Sequence, residues 1–83
     1  MSYYTYILFS QKLQKYYTRS TNDVLKRLER QNHGHTTYTK TGIPWELVFF
    51  EEFESRAEAV QREIQIKSMK STDYIKSLIG KKG

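Results

Sequence analysis

The chain contains no cysteine, which at once excludes disulfides, thiolate metal sites and thiol catalysis. Proline occurs once and glycine four times, too few for a linker-rich or low-complexity chain. No apolar run approaches the roughly 20 residues that span a bilayer. Met1-Ser2 leads straight into aromatic residues without a secretory pattern. Together these absences fit a cytoplasmic protein. Acidic residues are scarce outside one segment. The net charge is +5, yet residues 46–65 hold six acidic and two basic residues, while the flanking segments are basic. Basic segments can attract a polyanion and an acidic one can hold a cation, although a solvated mixed surface accounts for the same distribution.

What the chain does have is aromatic area. Seven Tyr, four Phe and one Trp among 83 residues supply much of the core that a single small domain can bury. Tyr3 to Phe9 alternates aromatic and β-branched residues and predicts a strand, and Lys15 to Arg19 predicts an antiparallel partner across the short Ser10–Gln14 loop. Ser20-Thr21-Asn22-Asp23 offers N-caps for a helix over about 22–32, with Val24, Leu25, Leu28 and Gln31 at helical spacing. A Thr-rich loop containing Lys40 and Gly42 follows. The third strand, Trp45 to Phe53, carries Trp45, Leu47, Phe49 and Phe53 on one face and Val48 and Phe50 on the other, which predicts burial on both sides. Ser55-Arg56-Ala57-Glu58 is a capping box opening a helix with an Ala57/Val60/Ile64 stripe that ends near Lys70. Ser71-Thr72-Asp73 caps a last helix stopped by Gly80, leaving residues 80–83 as a basic tail. The expected fold is a single α+β domain over residues 3–79. It is a three-stranded antiparallel sheet flanked by helices, in the order β-β-α-β-α-α.

The ordered set of motifs resembles the GIY-YIG nuclease superfamily in its small stand-alone bacterial form. Tyr4-Thr5-Tyr6 stands at the first motif and Tyr17-Thr18-Arg19 at the second. Ser20 to Asp23 leading to Lys26-Arg27-Leu28 resembles the helix entry, and Pro44 to Val48 followed by Ser55 to Lys67 resembles the stand-alone branch in particular. The resemblance implies a divalent-metal-dependent endonuclease that hydrolyses phosphodiester bonds in nucleic acid, DNA in the first instance, including branched or damaged DNA. It implies Tyr6 and Tyr17 as site tyrosines, Arg27 as the phosphate-bracing cation and Glu63 as the ligand of Mg²⁺ or Mn²⁺. Each has a structural rival. Tyr6 and Tyr17 would serve equally as sheet aromatics, Arg27 as a surface partner of Asp23, and Glu63 as an i,i+4 partner of Lys67.

The chemistry suits the residue types. A phosphodiester is anionic and its leaving alkoxide needs stabilisation; a cation neutralises charge and activates water, and an arginine braces the transition state. One carboxylate is enough for Mg²⁺, which keeps several waters and takes a phosphate oxygen. Arg19, Lys26, Arg30 and Lys40 are candidate nucleic-acid contacts, together with Lys12 and Lys15, and Tyr38 could stack on a base. His33 and His35 read as loop histidines near phosphate.

Three departures from the family pattern stand out. Arg19 occupies the place of the glycine that ends the second motif. Gln31 stands one turn after Arg27, where a histidine is common, and cannot act as a base. Tyr4-Thr5 replaces Gly-Ile in the first motif. Two alternatives to catalysis therefore remain: a catalytically weak or inactive nucleic-acid-binding module, and a protein-interaction domain using Glu51, Glu52 and Glu54. A surface this small also makes a protein partner that supplies substrate binding an expectation.

Overall fold

A computed structural model describes residues 2–34 and 40–82. The order is β1 (Tyr3–Ser10), β2 (Lys15–Thr21), α1 (Val24–Asn32), β3 (Trp45–Phe53), α2 (Arg56–Met69) and α3 (Thr72–Lys82). The strands form one antiparallel sheet in the order β2-β1-β3. The expected fold class is therefore found, with β1 at the centre and β2 and β3 at the edges.

β1 is the most buried strand, and its alternation divides the core in two. Ile7 faces one side with Phe49, Ile66 of α2 and Leu78 of α3. Tyr6 and Leu8 face the other with Trp45, against which Val24 and Leu28 of α1 and Tyr17 of β2 pack. Thus α1 covers one face and α2 and α3 the opposite face. Two buried hydroxyls on β1 are satisfied by carbonyls, Thr5 Oγ1 on Ala59 and Ser10 Oγ on Gly42, each at 2.6 Å. Left unmade, such bonds would cost about 1–3 kcal/mol each.

The third strand departs from the expected pattern. β3 is an edge strand, and its pairing with β1 shifts between Ile7 and Leu8, so that Ile7 faces Phe49 and Leu8 faces Leu47. A bulge of this kind inserts one residue and inverts the alternation beyond it. Phe49 therefore joins the α2/α3 core together with Val48, whereas Trp45 and Leu47 stay with α1. The apolar residues on both sides of β3 reflect this switch and not an interior strand.

The helices are capped largely as their sequences require. The Asp23 carboxylate accepts from the Lys26 amide at 3.0 Å, and Ser55 Oγ from the Glu58 amide at 3.2 Å. The α1 stripe is narrower than expected, with Leu25 73% exposed. At the end of α1, Asn32 accepts from Trp45 N–H and donates to Trp45 C=O, acting like a short strand segment that pins the helix to β3.

On α2 the expected Ala57/Val60/Ile64 stripe is not the inward one. Ala59 and Ile66 are buried, and Ile64 is 59% exposed. The inward side also carries Arg62, which donates to Glu51, Gln65 and the Tyr74 hydroxyl at 2.7–3.0 Å. Paired polar groups thus occupy positions that an apolar stripe would claim. Ser71 caps α3 by accepting from the Tyr74 amide. α3 then continues through Gly80 to Lys82, past the expected stop. Of the Thr-rich segment, residues 35–39, including His35 and Tyr38, lie outside the described residues. Lys40 and Thr41 have helical backbone.

Gly42 is required by close approach. A Cβ there would lie 2.6 Å from Trp45 Cζ2 and 2.9 Å from Leu13 Cδ1. Gly42→Ala is therefore expected to lower stability by about 1–3 kcal/mol through overpacking. Urea unfolding followed by circular dichroism measures this, and an unchanged midpoint would refute the close contact.

Candidate active site at the edge of the sheet

The hairpin register decides where the motif tyrosines point. Tyr6 pairs with Arg19 and Leu8 with Tyr17. Directly paired residues share a face, and so do residues two apart on one strand, so Tyr6, Tyr17 and Arg19 all lie on the α1 side. Tyr17 also packs against Trp45, with ring centroids 5.8 Å apart. Both tyrosines therefore pack in the core on this side, and the Tyr17 hydroxyl accepts a hydrogen bond from Arg19.

Glu63 arrives from α2, on the opposite face. Because β2 is an edge strand, the two sides meet around its outer border. Ser20 Oγ of β2 donates to Glu63 Oε1 at 2.8 Å, and Lys67 Nζ lies 2.7 Å from Oε2. From the tyrosine side, Arg19 Nη1 reaches to 3.8 Å from Glu63 Oε2 while its Nε donates to the Tyr17 hydroxyl at 2.9 Å. The guanidinium also lies 4.9 Å from the Tyr17 ring centroid. Arg19 is thus the link between the phenol face and the carboxylate. The Glu63 side chain is 14% exposed and that of Arg19 49%.

Arg27 extends from the first turns of α1. Among the described residues it forms no ion pair with Asp23, whose carboxylate is occupied as the helix cap. Instead Arg27 lines a cavity of about 260 Å³ between the starts of α1 and α2, with Lys26, Arg30, Arg56, Ser20 and Asn22 among its other walls. Two candidate nucleic-acid contacts, Lys26 and Arg30, are brought to it. Lys40 is not; its aliphatic stem lies over Gly34, beyond the other end of α1.

Sequence reasoning missed Arg56 and Ser20. Both were read only as parts of helix starts, and nothing in their spacing announced that the starts of α1 and α2 border one cavity. Gln31 is 8% exposed and its Nε2 has no partner among the described residues. His33 is exposed at the end of α1.

The electrostatics converge on the Tyr6 hydroxyl. Burial pushes its pKa up to about 12; Arg27 and Arg19 pull it down, while Tyr17 and Glu63 push it further up. All four groups therefore act on one oxygen. At neutral pH Tyr6 is a hydrogen-bond donor and not a base. Burial alone would raise the Glu63 carboxyl. Hydrogen bonds from Lys67 and Ser20, and the charges of Lys67 and Arg19, outweigh burial and hold it below its ordinary value. Arg19 is held protonated more firmly than usual, first by its bond to Tyr17.

The donor set fits one kind of cation. Among the described residues no three His, Cys, Asp or Glu side chains cluster, so a closed transition-metal cage does not form. A single ionised, part-exposed carboxylate suits Mg²⁺ or Mn²⁺ that keeps its waters and shares a phosphate oxygen. Oε2, however, is shared with two side-chain cations.

A family model described as the GIY-YIG catalytic domain matches residues 2–76. A UPF0213 protein of Clostridium perfringens is 42% identical over 67 residues, covering 80% of this chain and 71% of that protein. One from Listeria monocytogenes is 42% identical over 55 residues, covering 65% of this chain and 61% of that protein. A UPF0213 protein of Bacillus halodurans, solved in solution by NMR, superposes with a TM-score of 0.62 at 33% identity, covering 100% of this chain and 87% of that one.

Two titrations check the geometry. Spectrophotometric titration of the tyrosines should show an ionisation near pH 12 that disappears in Tyr6→Phe; its persistence would show that the buried hydroxyl is misassigned. The depressed Glu63 carboxyl contributes stability above its unfolded pKa, about 4.3, and that contribution is lost as pH falls through the lower folded value. Glu63→Gln should therefore be less stable than wild type at neutral pH, with the gap closing on acidification. A gap that persists unchanged at the acid end would contradict the ion-paired carboxylate.

Proposed function

The chain belongs to the GIY-YIG catalytic-domain family, and from that premise we propose that it is a divalent-metal-dependent endonuclease hydrolysing phosphodiester bonds in DNA. Membership implies a nucleic-acid substrate and points to nuclease chemistry. The observation that carries the proposal further is Arg19, which faces Tyr6 in the hairpin register, donates to the Tyr17 hydroxyl at 2.9 Å and reaches to 3.8 Å from Glu63 Oε2.

The roles follow from the chemistry of each group. A phosphate enters the cavity lined by Lys26, Arg27, Arg30 and Arg56, drawn by a field that releases counterions from the nucleic acid. Arg27, in the wall of this cavity, braces the charge that builds on the phosphoryl oxygens. Tyr6 keeps its proton and orients either the attacking water or a phosphoryl oxygen by donating to it. Tyr17 already accepts from Arg19, so its own proton is free to be donated. Glu63, anionic and anchored by Ser20, would hold Mg²⁺ or Mn²⁺. When bound, that ion supplies charge neutralisation and a more acidic water. Gln31 offers no base, so proton removal is not assigned to α1.

One observation favours a second reading. Both oxygens of Glu63 already have protein partners, as expected of a nucleic-acid-binding module that has lost catalysis. The protein-interaction alternative has less to stand on: Glu51 is paired with Arg62, and Glu52 accepts from Ser2.

Cleavage of plasmid, branched DNA and RNA in Mg²⁺ or Mn²⁺ decides between these readings. Wild type should cut, and Glu63→Ala and Arg27→Ala should each lose roughly 10²–10³-fold in rate. Equal cutting by all three proteins would show that the site is wrongly assigned. Salt-dependent binding without cutting by any of them would establish the binding module instead. Arg30→Ala and Lys26→Ala should each reduce the dependence of log affinity on log salt by about 0.9 for duplex DNA. No change in that slope would remove them from the phosphate track.

A further inference from the structure

Arg19 stands where the resemblance to the family leads one to expect a glycine, and it links the two faces of the candidate site. On β2 it faces Tyr6, its Nε donates to the Tyr17 hydroxyl at 2.9 Å, and its Nη1 lies 3.8 Å from Glu63 Oε2. A glycine there would leave those two groups unconnected. We propose that Arg19 is a tethered cation that holds the site closed to divalent metal until nucleic-acid phosphate draws it away, so that metal binding at Glu63 is coupled to substrate binding. This inference rests on the reading of Glu63 as the metal ligand.

Three physical points support it. A guanidinium is charged at every working pH, so its competition with a cation for Oε2 cannot be relieved by titration. It can be relieved by a competing anion, because arginine matches phosphate through paired hydrogen bonds, whereas its contact with Glu63 is a single one at 3.8 Å. Finally, the arrangement is built to release. Of the three groups around the Glu63 carboxylate, Arg19 has the longest contact, 3.8 Å against 2.7 and 2.8 Å, and its side chain is 49% exposed.

Ser20 remains on Oε1 when Arg19 leaves and keeps the carboxylate oriented. Lys67 remains on Oε2, but as an exposed i,i+4 partner that can swing into solvent at little cost. Movement of Arg19 also uncovers the Tyr17 hydroxyl, so one displacement opens both the cation ligand and a tyrosine. Arg19 is thus a positioning residue that acts through Glu63 and Tyr17.

Binding of Mn²⁺ to the full-length chain, followed by electron paramagnetic resonance of the free ion, tests this without reference to turnover. In the absence of nucleic acid, Arg19→Gly should bind Mn²⁺ about tenfold more tightly than wild type, the scale expected for removing one part-screened charge beside a ligand oxygen. Arg19→Lys, which keeps the charge, should stay near wild type. Addition of a short DNA duplex should tighten Mn²⁺ binding by wild type and leave Arg19→Gly much less changed. Thermal melting of the variants checks that all are folded.

If wild-type binding is abolished by Glu63→Gln but Arg19→Gly binds no more tightly, the latch is refuted while Glu63 stands as the ligand. If wild type, Arg19→Gly and Glu63→Gln all titrate alike, the assignment of Glu63 falls and the latch falls with it.

Discussion

The hydrogen bond from Ser20 to Glu63 across the border of β2 holds the site together. It joins a helix on one face of the sheet to the strand whose other face carries Tyr17. Were β2 an interior strand, a neighbour would cover this border, and no side chain from α2 could approach Tyr17. The order β2-β1-β3 leaves the border open, and Thr5 and Ile7 on β1 hold α2 and the core at the distance that brings Glu63 to it. The chemistry is therefore built at an edge, where elements from two layers can share one small space.

A domain of this size cannot keep its functional and packing residues apart. Tyr6 and Tyr17 belong to the core cluster with Leu8 and Trp45, and the Tyr17 hydroxyl is also bonded to Arg19 at the border with Glu63. Burial moves the Tyr6 hydroxyl still further from ionisation at neutral pH, so the packing that stabilises the fold also acts on its proton.

Much of the architecture could be read from the chain because local signals and tertiary packing agreed. The strand boundaries, the Asp23 and Ser55 caps and the hairpin followed from propensity and spacing. The errors arose where one residue changed a long-range relation. The bulge opposite Ile7 and Leu8 moved Phe49 away from Trp45, and no pattern in Trp45–Phe53 reveals a bulge supplied by pairing with another strand. On α2 the apolar stripe misled because Arg62 and Glu63 face inward, made tolerable by partners far away in sequence. The family motifs pointed to Tyr6, Tyr17, Arg27 and Glu63; Tyr17 and Glu63 are linked through Arg19, whereas Arg27 lines the cavity beside Ser20 and Arg56. The contributions of Ser20 and Arg56 depend on two helix starts bordering one cavity, a relation that no window of sequence contains.

The sole tryptophan gives the molecule an optical property. The Trp45 indole lies against the Tyr17 ring, whose hydroxyl is bonded to Arg19. Excited tyrosine transfers energy to a nearby indole, so emission from this one chromophore carries information about the phenol beside the carboxylate. An event that shifts the guanidinium changes the surroundings of that pair, and the protein can report on its own site without an attached dye.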